Sequence, residues 1–400
     1  MKISPVKATL LSALLFVAIY TAAVGCMFPS TLRMMEANAW IDDWVLQFFR
    51  WPHAGALVMA LCFSSTMAVA AGAVLCLSKT SRRLSGLARL MPLTVALPIF
   101  LAYKYPPTAS YAWGKYTMAD PEMMVDEQLY TYHLLADAKQ WNELMRTITA
   151  DNKQGTDTGM KYMLLAESAR GTLVDNLFTY PITSAEQFLY RAYSDQVTCL
   201  VNMHFYDNMR IWDEAFHQAQ EYAMCQQDFC FLSVRKMVEY SIAEAEWEVA
   251  EKLLYVLDQA LFYHDFVAES RNRIAEGKKQ RPYNDAPLRD GNFVSGFSLQ
   301  NEMVHMYQNH IGDTVKSQEY IIACMLLHKQ LPQVRLGTFA LSKYRTQEPE
   351  RLPLPIRQAM DILYSKGQAL HDEPPGTYAY FFYNMEIPDT EQRYKERETN

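Results

Sequence analysis

What the chain lacks first is a recognisable catalytic signature. No glycine-flanked serine elbow, no phosphate-cradling glycine loop and no paired-histidine zinc helix occurs in its 400 residues. A long alternation of apolar and polar residues is also missing, which removes the main signal for β-strands. His305 and His310 are five apart and would diverge on a helix, while His264 beside Asp265 and His204 near Asp207 read as surface or cap residues. No catalytic, cofactor-binding or metal residue, and no cofactor, is therefore expected. Acidic side chains are scarce in one region only: residues 1–107 hold three against nine basic ones.

That region has what the rest of the chain lacks, namely long apolar runs. Residues 8–28 and 54–77 carry no charge, and each is long enough to cross a bilayer as a helix, which takes ~20 apolar residues. Backbone polar groups in hydrocarbon must be satisfied internally, so helices are the reading for both. Residues 84–103 are also long enough, but Arg89 lies one turn inside and Pro92 and Pro98 interrupt them. An arginine near a helix end can snorkel to the headgroups, so a third span is expected, with a re-entrant segment as the alternative. Lys2 and Lys7 precede the first run, and Lys79, Arg82, Arg83 and Arg89 follow the second with no acid among them. The positive-inside rule then keeps both flanks in the cytoplasm and delivers everything after Tyr105 to the outer side. The expected location is the inner (cytoplasmic) membrane, with the lipid bilayer as one partner.

Between the first two runs, residues 38–51 are expected to form an interfacial amphipathic helix, with Trp40, Trp44 and Phe48 on one face and Asp42 and Asp43 on the other. Adjacent acids in a first outer loop also allow an alternative, a membrane enzyme acting on lipid-linked sugar with Asp42 and Asp43 as base or metal holder. Ala23-Val24-Gly25-Cys26 gives a second alternative, a signal peptide closing on a lipobox, although alanine stands where leucine is usual.

The remaining residues hold 28 basic and 41 acidic side chains, a balance that repels nucleic acid, so none is expected as a partner. Their pattern is helical nearly throughout, and the predicted fold class is all-α. Trp141-Asn142-Glu143-Leu144, Trp212-Asp213-Glu214-Ala215 and Trp247-Glu248-Val249-Ala250 each open a second helix after a short polar bridge. The 71 residues between the first two tryptophans are close to twice the 35 between the second and third. A period of ~34 residues with paired helices belongs to tetratricopeptide arrays.

An aromatic followed three residues later by a small residue is similar to the tetratricopeptide pattern, which Trp212 with Ala215 and Trp247 with Ala250 match and Trp141 with Leu144 matches in part. Together with the apolar runs, the chain resembles an uncharacterised family of bacterial inner-membrane proteins with a degenerate repeat region and no assigned activity. The organisation expected is an anchor over 1–107, helical repeats over 119–275, a linker or functional loop over 276–292, further repeats over 293–388 and a frayed tail over 389–400. Expected pairs include 159–173 with 184–192, 196–209 with 212–225 and 229–243 with 247–263. Cys225 and Cys230 straddle a turn and are candidates for a disulfide, with free thiols as the alternative. Such an array is a scaffold, and its expected partner is a protein or peptide on the extracytoplasmic side.

Overall fold

The computed structural model describes residues 29–36, 121–151, 153, 156–189, 195–225, 230–260, 262–281, 299–364 and 372–385. The three expected spans, the interfacial helix with Asp42 and Asp43, Cys26, the connection from residue 282 and the tail over 389–400 lie outside them. Among the described residues no helix is long and apolar enough to cross a membrane. Every regular element in them is helical, so the region is all-α.

The chain divides into two compact units. The described part of the smaller comprises α1 (Pro29–Glu36), the first half of α2 (Pro121–Asp137) and residues 258–260 and 262–265. Within it the Ser30 amide donates to Glu127 Oε1 at 2.8 Å, and Ser30 and Thr131 share a hydroxyl–hydroxyl bond of 2.7 Å.

The larger unit begins in α2 at Tyr132 and continues through α3 (Trp141–Ala150), α4 (Asp157–Arg170), α5 (Leu173–Asn176), α6 (Gln196–Asn208), α7 (Trp212–Cys225), α8 (Phe231–Ala243) and α9 (Trp247–Leu257). It takes in α10 (His264–Gln280) from Phe266, then α11 (Leu299–Gln308), α12 (Thr314–Leu327), α13 (Leu331–Ala340), α14 (Ser342–Arg345), α15 (Leu354–Tyr364) and α16 (Tyr378–Asn384).

One turn recurs through this unit. α2 passes to α3, α6 to α7, α8 to α9 and α12 to α13 through a single left-handed residue: Lys139, Arg210, Ala245 and Lys329 respectively. His310 does the same at the end of α11. In the α6–α7 turn the Arg210 amide donates to Asp207 O at 3.0 Å and the Ile211 amide to Tyr206 O at 2.9 Å. The same two bonds occur at the other four turns, and they are the pair of a Schellman cap, which satisfies the last carbonyls of a helix. Trp141, Trp212, Trp247 and Leu331 each stand two residues after the left-handed one and open the next helix. Three residues further, Leu144, Ala215, Ala250 and Val334 are completely buried. The aromatic-then-small signature therefore marks a real hairpin corner, where a short buried side chain lets two helices approach.

The expected pair 196–209 with 212–225 is present, and 229–243 pairs with a helix that stops at Leu257 instead of running to 263, with α7 packed on α8 to join the two pairs. The pair 159–173 with 184–192 is not present. α4 ends in left-handed Gly171, and the chain continues as α5 and two 3-10 turns, Leu177–Thr179 and Ala185–Phe188. Pro181 has no amide proton to offer a helix and pushes Tyr180 into extended backbone, so no second helix forms there. α4 packs on α3 and α6 instead.

The linker or loop expected over 276–292 does not begin at 276, because α10 runs on to Gln280. Gly277 serves packing rather than termination: a Cβ on it would lie 2.4 Å from the Trp247 ring. Trp247 is nearly buried, and its indole N–H donates to Arg281 O at 2.8 Å.

The C-terminal helices return to the middle of the chain. The Asp313 amide donates to Met209 O at 2.7 Å, and Lys316 Nζ donates to Asn208 O and Oδ1 at 2.7 and 2.6 Å. Gly312 has φ +68°, and a Cβ there would meet Met209 O at 2.4 Å, so the corner admits only glycine. Tyr320 of α12 packs edge-on against Phe188 and Phe205, each with ring centres 5.1 Å apart. Asn208 in turn reaches Ser168 of α4 at 3.1 Å.

Candidate functional site

Three of the hairpin corners surround a polar pocket of about 260 Å³ within the larger unit. Asp137 ends α2, Lys139 turns into α3, Asp207 and Trp212 flank the α6–α7 corner, and Glu239 and Tyr240 come from the end of α8. Arg235 and Lys236 lie one turn earlier on α8, and Arg273 reaches in from α10. Helices α2, α6 and α8 end at the pocket, so their negative dipole ends favour a cation inside it.

The inner charges are paired among themselves. Lys236 contacts Asp137 and lies 2.9 Å from Glu239, while Arg235 lies 3.0 Å from Glu239, 3.6 Å from Asp137 and 5.6 Å from the Phe266 ring centre. Burial alone would push the Asp137 carboxyl up, but Lys236, His133 and Arg235 hold it well below the usual carboxylate range. Burial would likewise lower the Lys236 ammonium, yet Glu239 and Asp137 raise it. Both groups stay charged, and the cluster is a structural ion pair.

Other pocket groups are not used up. Asp207 makes no ion pair among the described residues, and burial raises its carboxyl against the pull of Lys236 and Lys139. The hydroxyl of Tyr240 is buried without a hydrogen-bond partner, and burial pushes it well above its ordinary value. Lys139 and Arg273 are exposed at the rim and unpaired among the described residues.

Next to the cluster lies a pair of neutral imidazoles. His133 Nδ1 and His204 Nε2 are 2.8 Å apart and both rings are buried. Burial lowers His133 to about 4 despite Asp137, and burial followed by His133 lowers His204 well below its ordinary value. His204 is thus a core residue, not the surface or cap residue its neighbourhood suggested. A sequence signal for the pair exists: each histidine stands eight residues before a corner tryptophan, Trp141 or Trp212. Among the described residues no group of three or more His, Cys, Asp or Glu is arranged to hold a metal ion.

The other expected positions are dispersed. Cys199, Cys225, Cys230 and Cys324 form no disulfide, so no bridge joins Cys225 to Cys230. Burial first, and then the Cys225 thiol, push Cys199 up. His305 sits beside Asn309 at 3.1 Å and His264 lies 3.7 Å from Asp258. Far from the pocket in sequence, Leu336 and Phe339 stand one turn apart on α13, 68% and 64% exposed. α13 packs on α15, where Arg335 lies 5.6 Å from the ring centre of Tyr364, itself 62% exposed.

The chain belongs to a family of unknown function (DUF6057), whose model matches residues 90–381. No curated protein and no solved structure matches it.

Proposed function

We propose that this chain is a membrane-anchored helical-repeat scaffold that binds a protein or peptide partner on the extracytoplasmic side. What supports the reading is the exposure of two large apolar side chains one turn apart on α13, Leu336 and Phe339, with exposed Tyr364 on the neighbouring α15. Large apolar side chains grouped on a polar surface mark interaction sites in soluble domains, and aromatic anchors are favoured there. The recurrent hairpin corner supports a tetratricopeptide-like origin for α2–α3 and α6–α9, since a helical pair buries its apolar face only against a neighbour. The three apolar runs before residue 104 supply the anchor, and their flanking lysines and arginines put the helical region outside the cytoplasm.

A photo-crosslinker placed at Leu336 or Phe339 in intact membranes tests the reading. Both positions should capture the same partner, and Leu336→Asp with Phe339→Asp should release it. Labelling no stronger than from a crosslinker at the exposed Glu348 would remove the patch as a docking site.

A further inference from the structure

The pocket at the hairpin corners carries a second inference, independent of the docking patch. Once the inner ion pairs are set aside, one acid and two bases remain. Asp207 lies within, and Lys139 and Arg273 stand at the rim. Tyr240 adds a buried hydroxyl without a partner, and Trp212 adds an indole on the wall. An anion alone would meet Asp207, and a cation alone would meet Lys139 and Arg273. A ligand bearing both charges a few ångströms apart meets neither conflict. The volume is below the roughly 300–1,000 Å³ of pockets for drug-sized ligands, which limits the occupant to a small molecule.

We infer that this pocket binds a free α-amino acid as its zwitterion. The ammonium sits against Asp207, and the Tyr240 hydroxyl accepts one of its protons. The carboxylate lies between Lys139 and Arg273, and the side chain rests on the indole of Trp212, where an apolar or aromatic group is favoured.

Titration calorimetry on the full chain in lipid nanodiscs, with the free L-amino acids as probes, tests this. At least one should bind with a dissociation constant below about 1 mM. Its amide, which lacks the carboxylate, and its N-acetyl derivative, which lacks the ammonium, should each bind at least about tenfold more weakly. Asp207→Asn and Arg273→Gln should each weaken binding to a similar degree. If Asp207→Asn does not fold, the derivative series on the unmodified chain still decides. Absence of binding by every amino acid, equal binding of the amide or N-acetyl form, or displacement by equimolar phosphate would each overturn the assignment.

Discussion

At the scale of single residues, the buried imidazoles give the molecule an acid limit. Unfolded His133 takes a proton near pH 6.5, whereas the folded residue takes one only near 4. The stability contributed by the neutral pair is present above pH 6.5 and is lost as pH falls through about 4, on the order of 3 kcal/mol for His133. Asp137, held low by Lys236, adds a further loss below pH 4. Chemical denaturation followed between pH 7 and 4 should show this decline, and the double variant His133→Leu/His204→Leu should flatten it. A second prediction concerns Lys236. Replacing it by methionine leaves Asp137 buried with Arg235 alone, at a cost of roughly 3 kcal/mol, and adding Asp137→Asn should recover much of the loss. An unrecovered double variant would mean that the lysine matters for packing rather than charge. Neither partner is legible from its own neighbourhood in sequence. A histidine beside an aspartate most often caps or faces solvent, and its pairing across 71 residues depends on two hairpins being superposed.

The elements were easier to read than their corners. Tryptophan followed by a small residue announced α7 and α9 because the chemistry is local: a wide aromatic at the first position and a short side chain at the buried one. The left-handed residue two places earlier carries no such signal, since Lys139, Arg210, Ala245, His310 and Lys329 take a conformation that glycine takes at lower cost. His310→Gly should therefore raise stability by up to about 1 kcal/mol in a denaturant titration. Gly312→Ala, two residues on, should lower it by more than that, because its Cβ would strike the Met209 carbonyl. The tryptophans themselves are unequal. Trp247 is locked by Gly277 and Arg281, so truncation to alanine should cost ~3–5 kcal/mol. Trp212 is only half-buried on the pocket wall, and its truncation should cost clearly less. Equal losses in thermal melts would contradict that difference.

At the scale of the whole molecule, the larger unit is not a one-dimensional stack. In a linear solenoid each pair touches only its neighbours. Here α12 packs against α5, and its start is bonded to the end of α6. Tyr320 between Phe188 and Phe205 makes the two halves share one aromatic core. Helical periodicity could not reveal this, because each surface involved looks like an ordinary helix face until the other is beside it. Hydrogen exchange should accordingly find α6 and α12 opening together with the same free energy. Independent opening of α12 would place it in a separate folding unit.

The bond from Lys316 to the backbone of Asn208 spans 108 residues of chain. At a synthesis rate of 5–20 residues per second, Phe205 and Asn208 leave the ribosome roughly 5–20 s before the segment that covers them. For that interval the middle of the chain carries an uncovered aromatic and amide surface. Completion of the fold is therefore timed by the ribosome, and a premature stop before α12 leaves a chain whose central helices have no lid.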